Sequence, residues 1–237
     1  MATKFKGKGG HVAKKILPPV TRGIVGWHIL GESVDVSAYN HVRGGKAALV
    51  AGSPEFDGAG MTLSNKNRID LPVGDSPDIT LISVWDEQKS TGTDVCNVIG
   101  RQTATSPGIL LFTLGSATRA RSVSFNASHL VDDAAMATPV GLSAVDLTKP
   151  HFIAAVAGTT TKNKLYDFTS DRTAEHKGEH GQRAVESTKN LQIGGGAFTG
   201  SSTQYFAAVY HAALSESEIK KIYLWVKKHL LSRGVEI

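Results

Sequence analysis

The chain has 237 residues, 41% of them hydrophobic, so it can bury a sizeable core as one large domain or two small ones. No run approaches the roughly 18 apolar residues of a membrane span, and the single cysteine, Cys96, excludes an intramolecular disulfide and a cysteine-based zinc cluster. The formal net charge is +5, and Lys4, Lys6, Lys8, Lys14 and Lys15 account for it, which leaves the body from Ile16 onward close to neutral.

Residues 1–20 read as a basic, extended arm. The first acidic residue is Glu32, and the segment combines glycines with the pair Pro18-Pro19 and few apolar residues. Such a stretch cannot offset its own ordering entropy. It is either a solvated tail or an arm that orders on a partner protein or an acidic surface. The arm reading gives Lys4, Phe5, Lys6, Lys8, Lys14, Lys15, Ile16 and Leu17 the anchoring contacts. The arm shows neither the continuous apolar core nor the cleavage site of a secretory signal.

The body, residues 21–237, reads as a run of short strands. G-I-V-G-W-H-I-L opens it, with Trp27 in the core. Asp35, Ser37 and Asn40 mark a turn, because their side chains bond nearby backbone groups. Strands follow around Phe56 to Leu63, and in R-I-D-L-P as an edge strand closed by Pro72. In D-I-T-L-I-S-V-W, alternation sends Ile79, Leu81, Ser83 and Trp85 to one face and Thr80, Ile82 and Val84 to the other. Both faces are apolar, as in a central strand. Short apolar runs recur at residues 97–100, 109–114 and 122–127, and Asp132-Asp133 reads as a loop. Pro150 precedes H-F-I-A-A-V-A-G-T, K-N-K-L-Y-D-F follows, and a polar segment, 171–189, carries Arg172, His176, His180 and Arg183.

The chain ends with a clearer pattern. Gly194, Gly195 and Gly196 stop a strand that contains Leu191 and Ile193, and Tyr205 to Tyr210 form another. A helix over 215–233 follows. Ser215 and Glu218 make a capping box, and Ile219, Ile222, Tyr223, Val226 and Leu230 recur at spacings of three and four. Gly234 suits the left-handed residue that closes it. Many strands and one terminal helix predict an all-β fold, a two-sheet antiparallel sandwich.

Several segments together resemble the concanavalin A-like, laminin-G-like jelly-roll domains. Tyr210, Leu214, Ser215, Glu218 and Ile219 match the Y-x-x-x-L-S-x-x-E-I that ends those domains. Asp35 and Ser37 match a D-x-S-G-x-x-N turn, with Ala38 in place of its glycine and Asn40 nearby, one residue short of the motif's asparagine. Phe56 and Gly58 match the start of F-x-G-x-x-L, with Leu63 two residues further on. Ile82, Ser83 and Trp85 match the I-S-x-W of F-T-I-S-x-W, with Thr80 one residue ahead of its threonine. H-F-I-A-A-V-A-G-T and K-N-K-L-Y-D-F resemble a family strand and its hairpin partner. Phe206, Ala207 and Ala208 replace an acidic pair that the family often carries. The resemblance spans roughly residues 22–220 and implies a jelly roll. It also implies a structural calcium for which Asp35 and Asn40 would supply oxygens, although the missing glycine and acidic pair speak against it.

No motif carries catalysis. No strand bears the paired carboxylates of a glycosidase, and Asp132-Asp133 falls in a loop. The nine histidines form no H-x-H or H-x-x-x-H pair on a predicted element, and no phosphate loop or nucleophile elbow occurs. Two readings remain. In the first, the chain is a structural or adhesive component of a virus particle, a bacteriophage tail or capsid protein assembled in many copies in the host cytoplasm, with the arm held by other virion proteins. In the second, it is a carbohydrate-binding module for cell-surface glycans, with Tyr39, Tyr166, Arg172, His176 and His180 as contacts. Nucleic-acid binding is weaker, since Phe5 alone interleaves the arm's lysines with an aromatic ring.

Overall fold

The computed structural model describes residues 16–87, 94–103, 106–115, 120–178, 181–186, 188–196 and 198–237. In chain order the elements are β1 (Ile24–Ile29), α1 (Val34–Ala38), β2 (Leu49–Ala51), β3 (Glu55–Phe56), β4 (Met61–Leu63), β5 (Arg68–Gly74), β6 (Ile79–Asp86), β7 (Cys96–Thr103) and β8 (Ser106–Leu114). They continue with β9 (Ala120–Val131), β10 (Ala134–Asp146), β11 (His151–Ala157), β12 (Lys164–Asp167), β13 (Arg172–Glu175), β14 (Asn190–Gly194), β15 (Ser202–Tyr210) and α2 (Glu216–Leu231).

The strands form two antiparallel sheets. One runs β13-β12-β11-β6-β15-β4-β3, and β1 shares the β4 side of β15, pairing with Phe206 to Tyr210 while β4 pairs with Ser202 to Gln204. The other runs β10-β9-β8-β7-β14-β5-β2. The expected all-β sandwich with one C-terminal helix is thus the architecture, and α2 adds a third layer. The reason lies in β6, β11 and β15, which are buried along their whole length. Leu81, Trp85, Ile153, Ala155, Ala207 and Val209 face the second sheet. Ile82, Val84, Phe152, Ala154, Phe206 and Ala208 face outward, where α2 covers them through Ile219, Ile222, Val226 and Leu230. Strands apolar on both faces require layers on both sides.

The helix is fixed at both ends. Ser215 accepts from the Glu218 N–H, and Glu218 accepts from the Ser215 N–H at 2.8 Å. Arg22 clamps the same carboxylate through Nε (3.0 Å) and Nη2 (2.7 Å), which ties the start of the body to α2. At the other end Val235 N–H reaches Leu230 O and Gly234 N–H reaches Leu231 O, the Schellman pattern, with Gly234 at φ 82°. Val235 joins the helix-side core beside Leu230.

Several local expectations are corrected. Asp35 and Ser37 lie in the short helix α1, capped by Ser33, rather than in an open turn. Pro72 sits inside β5, a strand with neighbours on both sides. The ladder tolerates it because β2 pairs only as far as Asp70, and the β14 pairing shifts register between Asn190 and Gln192. Asp132 and Asp133 do lie in a loop as expected, a two-residue hairpin turn at φ 49° and 61° between the long strands β9 and β10, but Ala134 and Ala135 already belong to the strand. The polar segment 171–189 contains β13 and the buried Arg183, whose guanidinium meets Asp75 at 2.8 Å with both side chains almost fully enclosed. Of the residues assigned to the arm, Val20 is buried and Ile16 packs against the helix-side core. Leu17 is exposed, and Lys4, Phe5, Lys6, Lys8, Lys14 and Lys15 lie outside the described residues.

Candidate ligand-binding cleft

A cleft of about 590 Å³ opens where the start of β11, the turn after β12, β15 and the segment after α2 meet. His151 lines it from β11 and Lys149 from the turn before that strand, Thr169 from the turn after β12, Tyr205 from β15, and Gly234 to Ile237 form the remaining wall. The helix terminus therefore positions one wall, and the paired strands position the others.

Two buried carboxylates organise its polar groups. His151 donates through Nδ1 to Asp167, 3.0 Å from Oδ2 and 3.2 Å from Oδ1. Its Nε2 forms no hydrogen bond among the described residues, and the buried residue lines the cleft. Asp167 also accepts from the Thr169 N–H and from the hydroxyl of Ser170. Burial alone would raise this carboxyl, but the hydrogen bonds from His151 and Ser170 outweigh it, and it titrates below its ordinary range. On the other wall the Tyr205 hydroxyl donates to Asp86 at 2.5 Å. Burial and that carboxylate push the phenol far upward, so it stays protonated. Thr169 Oγ1 accepts from the Phe152 N–H at 2.9 Å, which leaves its own proton to donate.

The glycan contacts expected from sequence do not converge. Tyr39 is about half exposed after α1, with its ring edge-on to His41 at 4.8 Å. Tyr166 is buried in the helix-side core, stacked with Phe168 at 6.0 Å. Tyr166 pairs with Thr173 and Arg172 with Asp167, so Tyr166 and Arg172 point to opposite faces of one sheet. Arg172 donates to the carbonyls of Ser143 (2.5 Å) and Ala144 (3.3 Å), where β10 shifts register against β9. His176 meets the Pro139 carbonyl at 2.9 Å, and Asn163 donates to Thr138 O at 2.6 Å. These three side chains sew the edge of one sheet to the edge of the other. His180 lies outside the described residues.

Asp35 is exposed in the first turn of α1. Asn40 is buried, and its Oδ1 accepts from the N–H groups of Trp27 and Val42, both at 3.1 Å, while Nδ2 donates to Val25 O. Among the described residues no three His, Cys, Asp or Glu side chains group as metal ligands. Sequence reasoning missed the cleft. Asp167 is the one signal within reach, sixteen residues from His151 on the expected hairpin partner, whereas Asp86 lies 119 residues from Tyr205.

No protein-family model and no curated protein matches the chain. Its fold is similar to solved toxin domains. The receptor binding domain of botulinum neurotoxin C/D mosaic serotype superposes with a TM-score of 0.59 at 10% identity, over 86% of this chain and 51% of that one. The botulinum neurotoxin serotype D binding domain gives 0.57 at 11% identity, over 86% and 51%. The botulinum neurotoxin type G receptor binding domain gives 0.54 at 10% identity, over 76% and 47%. The chain thus spans about half the length of these domains, and what is shared is the β-sandwich.

Proposed function

We propose that the protein is a non-catalytic carbohydrate-binding module that holds a cell-surface glycan in the His151–Tyr205 cleft. The observation that carries this reading is His151, which lines the cleft together with Tyr205, its Nδ1 held by Asp167 and its Nε2 unpartnered among the described residues. A sugar offers hydroxyl groups along its rim and C–H faces on its flat sides. Tyr205 supplies an apolar wall, while His151, Thr169 and Lys149 supply hydrogen bonds around it. Asp167 and Asp86 hold His151 and Tyr205 in place before the ligand arrives, which lowers the ordering cost of binding.

The similar toxin domains are described as receptor-binding, which supports a binding role over a catalytic one. The sandwich and the motif order support the concanavalin A-like assignment. The reading as a virion component rests on the arm's lysines, which lie outside the described residues, and neither the fold nor the comparisons add support to it.

The test is a glycan microarray followed by titration of the tightest hit against cleft variants. His151→Ala should weaken binding about tenfold, the cost of one lost hydrogen bond to a polar ligand. Lys149→Ala should weaken it less, and Tyr205→Ala should remove it. A blank array, or cleft variants that bind as the parent does while their thermal melts match it, would overturn the reading.

A further inference from the structure

We infer that the outward face of α2 is a docking surface for an anionic lipid bilayer. The inference is independent of the glycan reading and rests on other residues. Ile219, Ile222, Val226 and Leu230 turn inward, and the opposite face stands in solvent. On it Leu224 and Leu231, seven residues apart, are 57% and 62% exposed. At about 100° per residue they form one axial line. Lys220 and Lys227 flank that line on one side, Lys221 and Lys228 on the other, each pair again seven apart and exposed. Lys220, Lys221 and Lys228 form no ion pair among the described residues. Lys227 reaches Tyr223 Oη at 3.2 Å and the Ile237 carbonyl.

An apolar line between cationic rails is the arrangement with which a helix lies in a bilayer interface, leucines among the acyl chains and ammonium groups at the phosphates. A solvated face has no need of the central leucines. A stable protein partner needs roughly 800 Å² on each side, far more than two leucines cover. A bilayer needs less, because Lys220, Lys221 and Lys228 over an anionic surface supply most of the attraction.

Flotation of the full chain with vesicles tests this. Vesicles of phosphatidylcholine alone should leave the protein in solution, whereas vesicles with a phosphatidylglycerol fraction should carry it, and salt well above about 0.15 M should release it. Each lysine near an anionic surface is worth about a fivefold factor, so Lys220→Glu, Lys221→Glu and Lys228→Glu together should weaken partitioning at least about 100-fold. Leu224→Ser with Leu231→Ser should weaken it at the same charge. Unchanged circular dichroism melts in both variants would show that the fold is intact. Three results would overturn the inference: equal binding to neutral vesicles, helix variants that float like the parent (the arm alone being responsible), or no vesicle binding with helix-dependent capture by poly-glutamate, which would make the partner an acidic polypeptide.

Discussion

His151 and Asp167 form a buried pair across β11 and β12, Nδ1 3.0 Å from Oδ2, and His151 lines a cleft with its other imidazole nitrogen unpartnered among the described residues. The carboxylate fixes the orientation of the ring, so the nitrogen that meets a ligand is chosen by the fold. If that orientation matters for binding, Asp167→Asn should weaken glycan affinity with a smaller effect than removing the ring. Titration calorimetry on Asp167→Asn and His151→Ala with one glycan gives the comparison. Equal affinity in Asp167→Asn and the parent would show that the pair serves only the fold.

Acid should destabilise the protein through its histidines. Burial lowers His28 to about 4, with the Ser37 carbonyl offsetting only part, and burial with nearby His229 lowers His41 to about 4. The folded pKa lies below the unfolded value near 6.5, so the unfolded chain binds more protons between them. Stability is therefore full above about pH 6.5 and lost as pH falls toward 4, by about 3 kcal/mol for His28. Glu218, pulled to about 2 by Arg22, adds its own loss only below about pH 4.5. Urea midpoints at pH 7.5, 6 and 5 should fall in that order, and His28→Gln should flatten the trend.

Breaking the Asp75–Arg183 pair should be costly. Arg183 donates twice to Asp75 at 2.8 Å and once to Ser128 O, with the guanidinium fully enclosed. Asp75→Ala leaves that cation buried without its partner, a loss of about 3–5 kcal/mol. Chemical denaturation measures it. The exposed Arg22 of the Arg22–Glu218 pair should matter less, about 1 kcal/mol or under on Arg22→Ala.

The helix and the sandwich were legible in the sequence, and the site was not. Local rules carry over directly: Ser215 and Glu218 cap α2, and Ile79 to Asp86 form a central strand because both faces are apolar. The left-handed glycines at 194, 195 and 196 end β14. Function depends on partners set by topology. Arg183 reads as one polar residue of the segment 171–189 until its bridge to His129 of β9 and the end of β5 bring Asp75 to it across 108 residues. Arg172 and His176 read as free polar groups until β10 presents its carbonyls, and Tyr205 reads as a plain strand aromatic until Asp86 arrives. Spacing along the chain records none of these.

Removing Ile222 should test the third layer. It is fully buried between α2 and the first sheet, so Ile222→Ala should lower stability by about 2–5 kcal/mol, and Ser215→Ala by about 1 kcal/mol through the lost cap. Unchanged denaturation midpoints would mean that α2 does not stabilise the sandwich.

Calcium should not change stability. Asn40 Oδ1 already accepts two backbone N–H bonds, which leaves the Asp35 region poor in available oxygens. Thermal melts with calcium and with chelator should coincide, and a rise of several degrees with calcium would contradict this.

The most direct test of the binding account is an NMR titration of histidine-labelled protein with the tightest array glycan. The ring signals of His151 should move with ligand concentration, while those of His176, held on the Pro139 carbonyl, and of His41, beside Tyr39, stay in place. Movement of His41 or His176 with His151 unchanged would place the site elsewhere and contradict the account.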